Sequence, residues 1–504
     1  MYMTLSKVLE GVPVIKIFQT MYGRMVVTHD VEVRGIQYDS RKVGRDQMFV
    51  AIRGTLTDGH RFIDQAVQGG ARVVVVEDDN ALPDSFFMHT GTVKVVVSDS
   101  RKALALLAAN FFDHPSRKLC LIGVTGTNGK TTTTHVVRSI LEASGERVGL
   151  IGTIGYTIGD TMLPATHTTP ESLELNELLA TMVNAGCSTA VMEVSSHSLA
   201  MHRVYGLEFR VGVFTNLTQD HLDFHGTMDE YFAAKRMLFD GLRESSFAVV
   251  NLDDSYSARM TEHSKAAKLT YSANSNANVF AENIHMNVAG STFQVNSNGK
   301  TSTVSSSLTG RFNISNILAG YATGVVLDVP EENIVEGIRK VTAVRGRFEQ
   351  IQSPQGWTAI VDYAHTPDAL RNCLETIHDL LPAGDRGRII TVFGCGGNRD
   401  RGKRPLMARI ATELSDVTVV TSDNPRNEDP NAIMDEIMTG VVENKDVMTE
   451  VDRHKAIAMA LGIAKTGDVI LVAGKGHEDY QIVAGIRHHF DDREEIEKFI
   501  RAGV

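Results

Sequence analysis

Cysteine is scarce in this chain. Four thiols, Cys120, Cys187, Cys373 and Cys395, are spread over 504 residues with no C-x-x-C pair. That spacing excludes a disulfide framework and a thiolate zinc site and leaves buried free thiols as the expectation. Long apolar runs are missing as well: no segment approaches the roughly 18 uninterrupted apolar residues of a membrane span, so none is expected. The opening MYMTLSKVLEGVPVIKIF lacks a basic start, a long apolar stretch and a small-residue cleavage site; the expectation is a cytoplasmic protein. Positive charge is in deficit, with a formal net charge of −11. This gives no support to nucleic-acid binding, although local basic clusters can still hold small anions. Tandem repeats and low-complexity tracts are absent. What remains is ordinary globular composition, 42% apolar and 22% charged, in a chain too long for one core. A prior of about 150 residues per domain suggests about three domains.

Alternating strand and helix patterns predict an α/β protein of three blocks. Residues 1–110 form a smaller α/β domain around the runs QMFVAI and ARVVVVED. Residues 111–345 form a mostly parallel sheet of the phosphate-loop ATPase type, beginning KLCLIGVTGTNGKTTTTHVV, with strands and loops in the polar stretch 272–307 at its edge. Residues 346–504 form a Rossmann-like domain. In that last block GWTAIVDYAHTPDAL, RIITVFGCGGNRDRGKR, DVTVVTSDNPR and DVILVAGKGHEDY each couple an apolar strand to a polar turn. Ligands of open parallel sheets bind beyond the carboxyl ends of the strands, where all four turns would gather.

In GVTGTNGKTTTT a strand runs into Gly126-Thr127-Asn128-Gly129-Lys130-Thr131-Thr132 and a helix opens. Glycines let backbone N–H groups approach phosphate oxygens, the helix N-terminus adds its dipole, Lys130 adds a charge, and a threonine hydroxyl can ligate magnesium. The strict G-x-x-x-x-G-K-[ST] spacing is not met, since Val124 holds the first position. A plain glycine turn between strand and helix is the alternative.

The motifs GTNGKTT, EVSSH, TNLTQDHLDFHG, AAKRMLF, GRFNISN and DYAHTPDAL occur in the order found in the Mur ligases, and the chain resembles that family over most of its length. The resemblance implies three domains, for a UDP-N-acetylmuramoyl peptide precursor, for ATP with Mg²⁺, and for an incoming amino acid, in a monomeric enzyme of peptidoglycan precursor synthesis. The precursor would be activated by ATP as an acyl phosphate and then attacked by the amine, with Lys130 neutralising charge on the transferred phosphoryl group.

Glu193 ends the strand-like run STAVMEV and His221 lies in the loop after RVGVFTN. By residue type each could be structural; the resemblance implies Thr131 and Glu193 near one magnesium and His221 near a second. Lys235 is the odd residue. In TMDEYFAAKRMLFD, Thr227 and Glu230 read as a capping box, and Phe232, Lys235 and Phe239 then share an apolar face. The stem could pack while the ammonium reaches water; alternatively desolvation lowers the pKa, and the neutral amine takes up carbon dioxide as a carbamate. In the family the matching lysine is carbamylated and helps organise the second magnesium. The resemblance also places Asn313 near the adenine, and Arg347 and His365 near the nucleotide.

For the precursor, the matching motifs implicate Tyr38 and Ser40 in YDSRKV, Thr55, Leu56 and Thr57 in the following turn, His167, Thr168 and Thr169 in HTTPESL, Ser195 in EVSSH, and Met201 and Arg203 in MHRVYG. Thr169-Pro170 also reads as an N-cap and first helical residue. For the amino acid they implicate Arg399, Asp423, Asn424, Pro425, Arg426, Gly474 and Glu478. An acceptor with two zwitterionic centres, such as meso-diaminopimelate, needs a donor for its distal carboxylate and acceptors for its distal ammonium. Arg426 can grip the first bidentately, and Asp423 and Glu478 can accept from the second. The alternative is that Arg426 pairs with Glu428 or Asp429 at the surface. The expectation is therefore a ligase adding meso-diaminopimelate, against a lysine-adding or folylpolyglutamate synthase-like ligase, or a P-loop ATPase without an acceptor.

Overall fold

A computed structural model describes residues 2–21, 24–25, 31–54, 57–381 and 387–503; Thr55 and Leu56 lie outside the described residues. The chain divides into two compact units, 1–123 with 146–212 and 241–246, and 124–145 with 213–240 and 247–504.

The first unit carries a five-stranded sheet in the order Val14–Phe18, Val93–Val97, Ala71–Val76, Gln47–Val50, Ile36–Gln37. Its last four strands are parallel and the first is antiparallel. The run ARVVVV reads as continuous apolar because both faces are covered. Val73 and Val75 join Leu104 and Leu107 of the helix Ser100–Phe111 on one side, and Val74 and Val76 join Phe49, Ala66 and Phe87 on the other. The period of two in a strand sends alternate valines to separate cores. A second set of strands in this unit pairs Val148–Ile151 in parallel with Thr189–Glu193 and antiparallel with Tyr156–Ile158.

In the second unit the helix Lys130–Ala143 packs under Arg311–Val326 and Glu331–Lys340. Close approach is possible because Gly320 and Gly337 face Val136 and Ile140, where any Cβ would collide. The polar stretch after residue 272, expected as strands and loops, forms an antiparallel meander, Val279–Asn287, Gly290–Ser297 and Lys300–Ser306. The last part is a six-stranded sheet in the order Glu349–Gln352, Thr358–Asp362, Val469–Ala473, Ile389–Phe393, Val417–Val420, Asp446–Thr449. Only the first strand is antiparallel. Two separate cores cover its faces, around Phe393 and Met407 on one side and Trp357 and Ile470 on the other. This is the Rossmann-like arrangement that four strand-turn repeats imply.

No described helix is long and apolar enough to cross a membrane. All four cysteines are free; three are buried and Cys120 is half-buried.

Candidate active site

The phosphate loop leaves the strand Cys120–Thr125 and turns into the helix at Lys130. Gly129, the residue before the helix, has φ +86, and a Cβ there would also collide with Asn316 Oδ1; only glycine fits. Lys130 Nζ folds back onto the loop, donating to the carbonyls of Gly126 at 2.9 Å and Thr127 at 2.8 Å. Asn128 donates its amide N–H to Asn216 Oδ1 at 2.9 Å and its side-chain amide to Asp368 at 2.9 Å. Thr131 Oγ1 accepts from Arg347 Nη2 at 3.0 Å, so the arginine expected at the nucleotide reaches the loop that would hold it. Asn313 is buried, donating to Thr309 O and accepting from Asn316. The buried Asn316 thus links the expected adenine residue to the glycine of the loop.

Lys235 is 1% exposed, and the expected apolar stripe with Phe232 and Phe239 is buried along the helix Met228–Asp240. Thr227 Oγ1 accepts from Glu230 N, capping that helix. Lys235 Nζ donates to Gly126 O at 2.7 Å and lies 4.6 Å from the centre of the Tyr231 ring. Burial, reinforced by the charge of Lys130, drives its pKa well below the usual lysine value, with Asp220 opposing. The alternative of an ammonium reaching water is therefore corrected: the whole side chain is enclosed. Asp220 is a residue that sequence reasoning passed over. It is 5% exposed, its Oδ2 stands 3.3 Å from His221 Nε2 and 3.6 Å from His365 Nε2. Burial raises its pKa, but His365, His221 and Lys403 outweigh that and hold the carboxylate far below its usual range. Its signal was its place beside His221 in the quoted TQDHLD.

The first unit holds the residues expected at the precursor. Glu193 is buried at the end of its strand and accepts from Thr153 N at 2.8 Å and Thr153 Oγ1 at 3.0 Å. Thr153 Oγ1 also lies within hydrogen-bond distance of the Thr168 hydroxyl, at 3.1 Å. Thr169 is not a helix cap: the following helix starts at Ser172 after Glu171. Its hydroxyl instead donates to Glu193 O at 2.8 Å, which ties the HTTP turn to the metal-candidate strand. Arg203 donates to Thr169 O at 2.9 Å, lies 2.8 Å from Glu171, and touches Met201 Sδ at 3.5 Å. Tyr38 donates to Glu174 at 2.8 Å, one turn along the same helix. Burial, then Arg203, lowers the pKa of His167. Ser195 accepts from Ser198 N and caps a short helix; Ser40 donates to Gln65, and Thr57 is exposed.

In the second unit the four post-strand turns do meet. Gly397 N donates to Asn424 O at 2.9 Å, Gly474 N to Asp362 O at 3.0 Å, and Asn424 Nδ2 to Glu478 Oε2 at 2.8 Å. The rings of Tyr363 and His477 lie 4.9 Å apart. Arg426 is partly buried and donates through Nη1 to Gly397 O at 2.8 Å. Burial, then the neighbouring Arg399, lowers its pKa, so two guanidiniums share one region. Surface pairing with Glu428 or Asp429 is overturned. Glu428 accepts from the fully buried Arg404 at 3.0 Å and from Asn398 N, and Asp429 caps the helix Pro430–Met438.

Two acids, Asp423 and Glu478, lie within electrostatic reach of Arg426. Asp423 is 6% exposed, and its Oδ1 has no hydrogen bond among the described residues. Lys475, fully buried and unforeseen in the sequence, stands 3.5 Å from that oxygen and 3.4 Å from Glu478 Oε2. Burial would raise the pKa of Asp423, but Lys475, Arg453 and Arg426 hold it low. Glu478 is raised by burial and by the charge of Asp423. The Asp423 oxygen without a hydrogen bond and the nearby Glu478 carboxylate are acceptors that suit an ammonium. Gly474, at φ +115, lets the backbone pass close to Asp423.

Comparison with known proteins gives matches along nearly the whole chain. Models of the Mur ligase family catalytic domain, the Mur ligase middle domain and the Mur ligase glutamate ligase domain match residues 32–112, 124–324 and 346–476. A UDP-N-acetylmuramoyl-L-alanyl-D-glutamate–2,6-diaminopimelate ligase of Cytophaga hutchinsonii is 47% identical, covering 92% of this chain and 94% of its own. The ligase of the same name from Parabacteroides distasonis is 45% identical over 93% and 94%. A solved structure carrying that name superposes with a TM-score of 0.68 at 30% identity, covering 100% of this chain and 99% of the other.

Proposed function

We propose, starting from the fact that this chain belongs to the Mur ligase family, that it adds meso-diaminopimelate to UDP-N-acetylmuramoyl-L-alanyl-D-glutamate at the expense of ATP, in the cytoplasmic assembly of peptidoglycan precursors. Domain limits of 1–110, 111–345 and 346–504 are proposed for precursor, ATP and amino acid. The relatives at near 45% identity bear the name of that activity. The observation that carries the choice of amino acid is the divided charge of the last domain. Arg426, with Arg399 beside it, is released from Glu428 by Arg404, while Asp423 keeps a buried oxygen without a hydrogen bond.

In this reading the γ-phosphate of ATP passes to the D-glutamate side-chain carboxylate, giving an acyl phosphate and ADP. The amine then displaces phosphate and loses a proton as the amide forms. Lys130 and the N–H groups of the loop bind the phosphates, and Arg347 positions them from the last domain. Of the donors proposed for magnesium, the Thr131 hydroxyl, the Glu193 carboxylate and a Lys235 carbamate are hard oxygens, which fit that ion, and the His221 imidazole is a less usual partner. Thr131 and Glu193 are each candidates for one ion, and His221 with the carbamate of Lys235 for a second; bound ions would neutralise charge on the phosphoryl oxygens. Lys235 is suited to the modification because its enclosed amine favours the neutral form, which adds carbon dioxide and releases one proton. Asp220 orients His221 and His365. Tyr38, His167, Thr168, Thr169 and Arg203 would meet the peptide end of the precursor.

Lysine has no second carboxylate. Placed here it would leave Arg426 without an anion, and sites built for a polar partner reject analogues that lack it by large factors. The test is phosphate release from ATP and magnesium with the UDP-dipeptide precursor. Release that requires both precursor and meso-diaminopimelate supports the reading; release without an amino acid acceptor refutes it.

A further inference from the structure

Arg426 stands at φ +54, a left-handed conformation that costs a residue with a side chain roughly 1 kcal/mol or more and persists only where neighbours over-determine it. The neighbour is a hairpin whose strands, Tyr480–Val483 and Ile486–His489, pair antiparallel. Ala484 and Gly485 between them both have positive φ, the two-residue turn that matches strand twist. Two strands alone are marginally stable, and these reach the segment 423–426 through directed hydrogen bonds. Gln481 Nε2 donates to Asp423 O at 2.6 Å, Ile482 N to Asn424 Oδ1 at 2.9 Å, and Arg426 N to Ile482 O at 3.0 Å. Asn424 in turn holds Glu478. One hairpin strand thus fixes the backbone bearing the guanidinium and the amide that orients the acid.

We infer that Gln481 is a positioning residue for amino-acid recognition: through the Asp423 carbonyl it locks the hairpin onto the segment that presents Arg426, and so sets selection by the second carboxylate. This rests on the substrate reading above. Gln481 meets Asp423 through that residue's main-chain carbonyl and not its carboxylate. Its side-chain amide donates to a main-chain oxygen, so its loss should loosen placement rather than remove a binding charge. Gln481 Nε2 is the one side-chain donor of the hairpin aimed at that segment among the described residues, since the other two bonds use backbone N–H groups.

The experiment compares Gln481→Met, which keeps length without a donor, and Gln481→Glu, which faces the carbonyl with an acceptor. Ile486→Ser, on the outer strand with Ile486 61% exposed, is the control. A hydrogen bond of this kind is worth about tenfold. Both Gln481 variants should raise KM for meso-diaminopimelate by about that factor or more, with kcat and KM for ATP within about twofold, and should narrow the preference over lysine; Ile486→Ser should change none of these. Unchanged KM for diaminopimelate in both variants overturns the inference, as does a common rise of both KM values with a lowered melting temperature. An unaltered enzyme that takes lysine and not diaminopimelate overturns the substrate reading and the inference together. Selectivity for diaminopimelate that survives in both variants overturns the inference alone.

Discussion

Replacing Arg426 by alanine removes the cation proposed to meet the distal carboxylate, and its effect can be sized from the surroundings. Truncating one partner of a desolvated charge pair costs about 2–5 kcal/mol. Arg426 keeps partial exposure, and Arg399 stays behind as a second cation, so the lower part of that range applies. A loss of about 2–3 kcal/mol is about 30- to 150-fold in kcat/KM for meso-diaminopimelate. The carbonyls of Gly397 and Asn424 also lose a donor, so part of the loss is placement rather than charge. Arg426→Lys separates the two: it keeps the charge without the planar fork and should lose less, about tenfold. The assay is initial-rate phosphate release against diaminopimelate concentration at saturating ATP and precursor, repeated with ATP varied. KM for ATP should stay within about twofold, because the phosphate loop does not touch Arg426. A change below about threefold in kcat/KM for diaminopimelate, or an equal loss on the ATP side, refutes the reasoning.

Lys235→Ala should abolish ligation and recover part of it when a short-chain carboxylic acid is supplied, and intact-mass analysis of the unaltered protein should show the added carbon dioxide; full activity of an unmodified lysine contradicts this. Glu478 has a raised pKa from burial and Asp423. It therefore loses its charge at a higher pH than an ordinary carboxylate, and as pH falls KM for diaminopimelate should begin to climb before an ordinary glutamate would protonate. A Glu478→Gln enzyme with the same profile as the unaltered one would count against that assignment. Arg453 and Asp492 are both fully buried and joined at 2.7 and 2.8 Å. Asp492→Ala leaves a buried cation unpaired and should cost about 3–5 kcal/mol in denaturant unfolding; a loss below about 1 kcal/mol means the arginine finds another anion.

The sequence showed what depends on local order. Continuous apolar runs marked the strands, the strand-turn repeats implied the gathering of turns beyond their carboxyl ends, and Lys235 on an apolar face posed a choice between an ammonium in water and an enclosed amine that folding decides for burial. What it did not show comes from groups that meet only after folding. Thr169 looked like a cap because proline follows it, but the helix begins later and the hydroxyl is claimed by a carbonyl of another strand. Arg426 had acids two and three residues away, yet a buried arginine from the helix Lys403–Leu414 takes Glu428. Lys475 and Gln481 were not legible, since the segment Asp423–Asn424 that they meet lies more than 50 residues earlier in the chain.

The central claim is that the last domain selects an amino acid by a distal carboxylate and ammonium together. Its most direct test offers the purified enzyme, with ATP, magnesium and the UDP-dipeptide precursor, an equimolar mixture of meso-diaminopimelate and L-lysine, and reads the product by mass. A product carrying diaminopimelate almost alone is predicted; comparable amounts of the lysine product would contradict the account.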